Sequence, residues 1–445
     1  MWKTNLLFMK PASTIEELYN NLNPFFIPEQ GRDENVYVPV FDEALRKLRT
    51  QILAGDYPKE CFYITGQAGS GKSTALNFLK NDKLEDKFEL IYIQGRQLLD
   101  LADVDVIDVM LMFALEVNER LKKKGELTEK LRKIDNKHRE RAEIETTQQT
   151  LKGTGTEGSY DISLSARFFQ FFGIGAEFRQ RYRREKEYRI VTRSFFTFDK
   201  NELLKLVNDL IHQYYQDNGS SKKILAIFDD LEKIRNIDQM NSLFIENSYY
   251  FRDIECKKVL TYPIYLTTNP TFNEINRYFF GLKIYKNPLE PTDDHDTVER
   301  NRNFFSEIIR KRIQSEKILI QEDAISHAIE ISGGNLKQYL DIIYRAALFV
   351  LNLEGRNISL DDIRKATYDE KRNLEQAIIG DKLIRILYTI ATKHLPVIEE
   401  ETTEFIQAIL SLQVIVFYNN SVWYDVNPLI RKTIEVYAAA AGNIT

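Results

Sequence analysis

Short apolar runs recur along the first two-thirds of this chain and predict the strands of a parallel sheet. A strand that is covered on both faces has no polar side, so it reads as a continuous apolar run. The predicted strands are residues 61–65, 88–94, 224–228, 257–266 and 282–285.

Between these runs, apolar residues recur at helical spacing. The pattern predicts helices over residues 13–21, 41–53, 104–121 and 201–215, and several more within 296–368. Helices that alternate with buried strands are typical of an α/β fold. We therefore expect a parallel sheet with helices on its faces.

The tail from Asp381 follows a different order. Two predicted helices, 383–393 and 402–412, precede two alternating strands, 414–418 and 422–426, which Asn419 and Asn420 join. A short Asn-containing link between alternating strands is typical of a hairpin. Helix, helix, hairpin is the order of a winged helix.

Composition narrows the class of protein. The 445 residues suffice for about three domains, and Cys61 and Cys256 are the only cysteines, which fits a reducing compartment better than a disulfide framework. No apolar stretch reaches the roughly 20 residues that span a bilayer. We expect a cytoplasmic protein that has no membrane segment.

The strongest chemical signal is a glycine-rich octapeptide, Gly66-Gln67-Ala68-Gly69-Ser70-Gly71-Lys72-Ser73. It follows a predicted strand and opens a predicted helix, which is the context of a phosphate-binding loop. Glycines let successive backbone N–H groups approach phosphate oxygens closely. Lys72 is expected to contact the β- and γ-phosphates, Ser73 to hold Mg²⁺, and Thr74 to serve as a reserve hydroxyl.

A second signal is the acidic segment Asp229-Asp230-Leu231-Glu232, directly after the apolar run 224–228. Carboxylates at the end of a buried strand lie where Mg²⁺ and an attacking water would be. We expect Asp229 on the metal side, and either Asp230 or Glu232 as the group that orients the water. The alternative is a solvated acidic turn.

Two further segments are candidates for contact with the nucleotide. At the end of the 257–266 run, either Asn269 or Thr261 would sense the terminal phosphate, although Asn269-Pro270 is equally consistent with simple turn chemistry. Asn335 is predicted to cap a helix that places Lys337 in its first turn. Lys337 would then reach the nucleotide or remain a surface cation.

Residues 122–193 interrupt the α/β rhythm and are read as an insertion. From Arg120 to Arg193 there are 19 Lys/Arg and 11 Asp/Glu, a net charge of +8. Alternation over 162–166 predicts a hairpin that turns at Gly173 or Gly175, followed by a helix. The basic segment 179–193 (Arg179, Arg181, Arg183, Arg184 and Arg189) would either bind nucleic acid or form a solvated helix.

These landmarks together resemble the AAA+ and STAND ATPases of the initiator-like branch. Gly66–Ser73 matches their Walker A motif, 224–230 the Walker B motif, 266–269 sensor 1 and 333–337 sensor 2. The resemblance implies ATP and Mg²⁺ as ligands, and an arginine finger near Arg277, on a helix after Asn269. A weaker resemblance, carried by 256–266, is to ATPases of bacterial defence genes.

The resemblance also implies a division of the chain. The expected parts are an N-terminal arm 1–35, an ATPase core 36–121 and 194–292 with the insertion 122–193, a helical lid 293–372, and a winged helix 373–445. Asp230 stands where Glu is usual, and Lys337 where Arg is usual. Both departures predict slow turnover, as in a molecular switch.

The partner is harder to predict. No Lys or Arg occurs in 395–430, while Glu399, Glu400, Glu401 and Glu404 crowd the second helix of the tail. Because DNA affinity depends on neutralising phosphates, this module should dock protein or inhibit the ATPase. We expect an ATP switch that assembles with itself or an effector, plausible for antiphage defence; the alternative is a DNA-associated loader or target selector.

Overall fold

A five-stranded parallel sheet forms the centre of the computed structural model, which describes residues 9–23, 26, 28, 32–79, 82–122, 129, 174–197, 200–219, 222–269, 271–272, 276–289, 295–353, 355–396, 402–419 and 421–440. The strands are β1 (Cys61–Thr65), β2 (Phe88–Gln94), β3 (Lys223–Asp229), β4 (Lys257–Thr261) and β5 (Arg277–Phe279). They lie in the order β2-β3-β4-β1-β5, and every neighbouring pair is parallel. The predicted fold class, an α/β fold with a parallel phosphate-loop NTPase sheet, is confirmed.

Helices cover both faces of this sheet. Those that precede residue 260 are α1 (Ile15–Asn21), α2 (Asp42–Ala54), α3 (Lys72–Asn77), α4 (Asp82–Lys87), α5 (Gly95–Leu98), α6 (Val106–Glu119), α7 (Ile174–Arg184), α8 (Lys186–Thr197), α9 (Lys200–Asp217), α10 (Ile237–Asn241) and α11 (Ser248–Asp253). Short 3₁₀ turns lie at Leu231–Lys233 and Ile264–Thr268, and a π-helical turn at Ser242–Glu246.

The remaining elements form a helical group and the C-terminal tail. The helices are α12 (His295–Arg310), α13 (Glu322–Ile331), α14 (Leu336–Val350), α15 (Leu360–Ala366), α16 (Tyr368–Gln376), α17 (Asp381–Lys393), α18 (Thr402–Leu410) and α19 (Arg431–Ala440). Strands β6 (Val414–Asn419) and β7 (Ser421–Val426) pair antiparallel with Val414 opposite Val426. The predicted order of helix, helix and hairpin is confirmed.

Side chains of β3 alternate between two cores. Ala226 and Phe228 face the core that contains α6, whereas Leu225 and Ile227 face the core that contains α2, α3 and α12–α15. All five apolar residues of 224–228 are fully buried. A strand with both faces covered is therefore the structural reason for the uninterrupted apolar run.

Two predicted strand boundaries are wrong. Strand β4 ends at Thr261, because Pro263 lacks a backbone N–H and the next residues form the 3₁₀ turn Ile264–Thr268. The fifth strand is Arg277–Phe279, which pairs with β1 through Tyr63, rather than 282–285. Leu282 and Ile284 alternate and are buried, but they pack beside the helical group without joining the sheet.

The insertion also differs from expectation. Ile174–Arg184 is a helix, so a hairpin turn at Gly175 is wrong. The alternative turn at Gly173, and the alternating residues 162–166, lie outside the described residues. Among the described helices, none is both long enough and apolar enough to cross a bilayer.

Candidate nucleotide-binding site

The phosphate loop, residues 66–73, joins the end of β1 to the start of α3. Gly69 has φ +85° and Gly71 has φ +98°, a conformation that side-chain-bearing residues rarely adopt. A Cβ on Gly69 would lie 2.7 Å from Asn335 Oδ1 and 2.7 Å from Lys337 Cβ. Glycine is thus required here both by the turn and by the close approach of another element.

Lys72 is buried and folds back on its own loop. Its Nζ donates to the carbonyl oxygens of Gly66 (2.8 Å) and Gln67 (3.0 Å) and lies 3.3 Å from Glu232 Oε1. The Lys72 and Glu232 side chains are only 2% and 3% exposed. Since a buried charge is costly without partners, this ion pair and the two carbonyls hold the ammonium in place.

A cavity of about 190 Å³ opens beside the loop. The polar part of its lining, here called the polar end, consists of Gly69, Gly71, Lys72, Ser73, Thr74, Arg96, Glu232, Lys233 and Lys337. The rest of the lining, here called the apolar end, is largely apolar and consists of Phe26, Pro28, Val36, Tyr37, Val38, Val40, Phe41, Ala75, Ile308, Arg312, Leu336 and Leu340. A lining that is partly cationic and partly apolar suits a nucleotide, which has charged phosphates and a flat base.

Sequence reasoning did not identify the apolar end of this cavity. Residues 36–41 supply part of this lining. Arg312 Nη1, which donates to the carbonyl of Ile308 (2.8 Å), lies 3.5 Å from the carbonyl oxygen of Val36. Lys311 donates to the carbonyl of Tyr37 at 2.8 Å. The signal in the sequence was the apolar segment Val36 to Phe41 just before α2.

The three carboxylates at the end of β3 and in the turn that follows it come together. One oxygen each from Asp229, Asp230 and Glu232 lie within 4.8 Å of one another, and all three residues are buried. Glu232 Oε2 has no hydrogen-bond partner among the described residues. Such oxygen donors, with the Ser73 hydroxyl on the cavity wall, suit a hard cation such as Mg²⁺.

Asp229 is anchored from the neighbouring strand. Its Oδ2 accepts a hydrogen bond from the Tyr92 hydroxyl at 2.7 Å, and its Oδ1 accepts from the backbone N–H of Asp230 at 2.8 Å. Burial, and then the negative charge of Asp229, raise the pKa of Tyr92 far above its ordinary value. Tyr92 therefore remains a neutral donor that orients the carboxylate.

Asp230 lies beside Asp229 in this carboxylate group, but its own partners are Arg96 and Lys233. Its backbone has φ +69°, a left-handed conformation that Asp tolerates better than most residues. Its carboxylate accepts from the Arg96 backbone N–H at 3.3 Å and forms an ion pair with Lys233. Burial, opposed by Asp229 and reinforced by the nearby cations Arg96, Lys72 and Lys337, lowers the pKa of Lys233 to about 7.

The two candidates for sensing the terminal phosphate, Thr261 and Asn269, are in different places. Thr261 is buried at the end of β4, where its hydroxyl oxygen accepts from the Leu231 backbone N–H at 3.1 Å and lies 3.3 Å from the Phe228 carbonyl. It thereby supports the acidic turn. Asn269 forms a local turn instead, since its Oδ1 accepts from the backbone and hydroxyl of Thr271.

The resemblance implied that Arg277 lies on a helix, and this is wrong. Arg277 is an exposed residue of β5, opposite Tyr63 of β1. The segment between Asn269 and Arg277 contains a turn, not a helix, over its described residues. The finger role predicted for Arg277 therefore rests on a wrong local structure.

The helix cap predicted at Asn335 is confirmed, and it contacts the phosphate loop. Asn335 Oδ1 accepts from the Gln338 backbone N–H at 3.0 Å, while its Nδ2 donates to the Ala68 carbonyl at 2.7 Å. The Lys337 backbone N–H donates to the Gly69 carbonyl at 3.0 Å. The first turn of α14 is thus fixed to the loop, and it places Lys337 on the cavity wall.

Gln67, the second residue of the loop, makes a contact that sequence reasoning missed. Its Nε2 donates to the Val414 carbonyl at 2.5 Å, and its Oε1 accepts from the Val416 backbone N–H at 3.4 Å. The side-chain amide therefore bonds to β6 as another strand would. This contact joins the phosphate loop to the C-terminal hairpin.

Two of the five arginines named in the basic segment 179–193, Arg179 and Arg189, face acids of the core. Arg189 lies 2.7 Å from Asp100 and 3.3 Å from Asp103, and Arg179 lies 2.9 Å from both Glu116 and Glu119. Arginines that are paired with acids in this way are less available to bind the phosphates of a nucleic acid. Arg184 is exposed at the end of α7.

Comparison with known proteins gives no family assignment. No family model and no curated protein matches the chain. Among solved structures, the chain is similar to the structure of Drosophila ORC bound to DNA (11% identity, TM-score 0.42, 99% of this chain and 95% of that one). It is also similar to Cdc6p from Pyrobaculum aerophilum (12%, 0.39, 95% and 98%) and to a Walker-type ATPase of Pyrococcus abyssi (12%, 0.39, 93% and 99%). These likenesses are too distant to assign an activity.

Proposed function

We propose that this chain is a slow, ATP-dependent molecular switch that binds and hydrolyses Mg²⁺-ATP. The observation that carries the proposal is the pairing of Lys72 with Glu232 at the polar end of the cavity. A complete phosphate loop and a buried carboxylate group here share one cavity, which is the arrangement that phosphoryl transfer to water requires.

The chain's residues divide the work along the cavity. Backbone N–H groups of residues 69–73 and the Lys72 ammonium would bind the phosphates, while the apolar wall 36–41 and Leu340 would enclose the base. Ser73 and Asp229 are the residues that would hold Mg²⁺. The ion would neutralise charge on the β- and γ-phosphates.

Glu232 is the better placed of the two carboxylates proposed to act on water. Its side chain lines the cavity and leaves Oε2 without a partner, whereas Asp230 is engaged by Arg96 and Lys233. Glu232 would accept a hydrogen bond from the water whose oxygen attacks the γ-phosphorus, as the bond to the β–γ bridging oxygen breaks. For this, Lys72 must transfer from Glu232 to phosphate.

The switch would work through the contacts that hold the loop. Lys72 occupies the carbonyls of Gly66 and Gln67, and Gln67 in turn is bonded to β6. Phosphate binding that withdraws Lys72 would disturb this network. We propose that the C-terminal hairpin is thereby released for assembly with another copy of the chain or an effector protein, with antiphage defence the setting that the sequence resemblance favours.

The test compares wild type with Lys72→Ala in a phosphate-release assay, with sizing in the presence of ADP and of a non-hydrolysable ATP analogue. Lys47→Ala is the matched control, because Lys47 is an exposed lysine of α2. We expect slow hydrolysis and analogue-dependent assembly in wild type and control, and neither in Lys72→Ala. Equal hydrolysis in all three proteins would remove the proposal.

The alternative, a DNA-associated loader or target selector, is less well supported by the site. Arg179 and Arg189 of the basic segment are paired with core acids, so the segment has fewer cations for phosphates. DNA retention at low salt that requires ATP and falls steeply with salt would favour the alternative over protein docking.

A further inference from the structure

Lys233 lies at the polar end of the cavity, yet no role follows for it from the phosphate-loop motif. It ends the 3₁₀ turn Leu231–Lys233, directly after the acidic segment. Its side chain is 17% exposed and lines the same cavity as Lys72 and Ser73. The ammonium is therefore within the space that would receive a triphosphate, while its partner in this structure is a protein carboxylate.

That partner is Asp230, which is held by three groups. Lys233 forms an ion pair with Asp230 Oδ1, the Arg96 backbone N–H lies 3.3 Å from Oδ2, and the Arg96 guanidinium lies 3.8 Å from Oδ1. The left-handed backbone of Asp230 directs the carboxylate toward this cluster. The Asp230–Lys233 pair consequently keeps both side chains from acting on a ligand.

Charge at this end of the cavity is unbalanced. Four cations line it, Lys72, Arg96, Lys233 and Lys337, against Glu232 on the lining and the carboxylates of Asp229 and Asp230 within 4.8 Å of it, so the cations outnumber the acids by one. An excess of cations around a small volume favours an anion with several charges. The loop amides and Lys72 account for the inner phosphates and for part of the γ-phosphate, so a further cation of this lining would contact the remaining γ-phosphate oxygens.

Of these cations, Lys233 is the best candidate to contact the outermost phosphate, because it lies near enough to Lys72 to interact with it electrostatically. It follows β3, and β4 alone separates β3 from β1 and its loop, whereas Arg96 follows β2 at the far edge of the sheet. Lys337 belongs to α14, and its backbone N–H donates to the carbonyl of Gly69, three residues before Lys72 in the loop. Lys233 also carries its own protein counter-ion, which a phosphate can replace.

We propose that Lys233 binds the γ-phosphate and exchanges Asp230 for a phosphate oxygen when it does so, which makes it the residue that distinguishes ATP from ADP. The inference rests on the proposed nucleotide site. With ADP the pair remains closed, because no phosphate reaches Lys233. With ATP the pair opens, and Asp230 keeps Arg96 as its partner.

The experiment measures Mg²⁺-dependent affinity for ADP and for a non-hydrolysable ATP analogue by calorimetry. Lys233→Met should lower the affinity for the analogue by about 10- to 100-fold, which corresponds to the loss of one charge-assisted hydrogen bond. The affinity for ADP should change less than about threefold. Lys233→Arg should retain most of the preference. Asp230→Asn removes the carboxylate that competes for Lys233. It should therefore raise the affinity for the analogue more than the affinity for ADP.

The outcomes separate this inference from the proposed function. If wild type binds neither nucleotide, the nucleotide site itself is wrong. If wild type binds both nucleotides, and Lys233→Met lowers both affinities equally or leaves both unchanged, the role of Lys233 is wrong but the nucleotide site stands. Should Lys233→Met fail to fold, Lys233→Arg and Asp230→Asn decide, since an unchanged ratio of analogue to ADP affinity in Asp230→Asn overturns the exchange.

Discussion

Gln67 and Val414 are separated by 347 residues in the sequence, and they share a hydrogen bond of 2.5 Å. Val416 adds a second bond from its N–H to the same side chain. The side-chain amide of Gln67 thus forms the two hydrogen bonds with β6 that the backbone of a neighbouring strand would form. Through this contact the position of the C-terminal hairpin depends on the conformation of the phosphate loop.

Gln67→Ala should loosen the hairpin without removing the nucleotide site. The change leaves the Val414 carbonyl and Val416 N–H without partners, which costs about 1–3 kcal/mol in contact stability. Hydrogen exchange at residues 414–426 should become faster, and nucleotide should bind faster. Gln407→Ala, at an exposed position of α18, is the control and should leave both rates unchanged. Unaltered hydrogen exchange in Gln67→Ala would show that the contact does not stabilise the hairpin.

Glu232→Gln should separate binding from hydrolysis. The amide keeps the shape of the side chain but cannot take a proton from water, so turnover should fall by at least about 100-fold. Nucleotide affinity should be retained or rise, because Lys72 loses its competing ion pair. Asp230→Asn is the comparison. A larger loss of turnover in Asp230→Asn than in Glu232→Gln, measured by single-turnover phosphate release, would reverse the proposed roles.

Gly69→Ala should disrupt the site by steric conflict with α14. The added Cβ would lie 2.7 Å from Asn335 Oδ1 and Lys337 Cβ, so the helix must shift and the loop must strain. We expect ATP affinity to fall by at least about tenfold. Gly219→Ala is the matched control, since Gly219 also has positive φ (+64°) but nothing lies within 4 Å of its Cβ position. That variant should lose about 1 kcal/mol of stability and keep its affinity.

Arg193→Met should destabilise the core although it lies far from the phosphate loop. Arg193 Nη2 is 2.5 Å from Asp108 Oδ2, and the Asp108 side chain is 2% exposed. Removing one partner of a buried ion pair leaves an uncompensated charge and costs about 3–5 kcal/mol. Chemical denaturation should show this loss, with Arg184→Met, at an exposed position, within about 0.5 kcal/mol of wild type. A loss below about 1 kcal/mol in Arg193→Met would contradict the prediction.

Where the sequence prediction succeeded, the information was local. The run 61–65 and the loop that follows it contain their own strand, turn and helix signals, and β2 was predicted with the bounds that the structure has. The cap at Asn335 was equally readable, because capping depends on residues three positions apart. Each of these features is fixed by neighbours in sequence.

Where it failed, the outcome depended on distant segments. Arg277 lies in β5 because this segment pairs with the edge of β1, and nothing in the sequence of 277–279 predicts that pairing. Arg189, for which nucleic-acid binding and a solvated helix were both open, pairs with Asp100, which is 89 residues away in sequence. This pairing could not be predicted from the segment, and nucleic-acid binding stays a prediction. Net charge along a segment says nothing about which acids will face it after folding.

The amino-acid order alone therefore determined that a phosphate loop and an acidic strand end exist, since each is a continuous segment with its own chemistry. Only the tertiary structure decided which side chains share the cavity: Glu232 with Lys72, Asp230 with Lys233, and Gln67 with the hairpin. The physical reason is that burial and hydrogen bonding are satisfied by whichever groups the fold brings within reach, however far apart they lie along the chain.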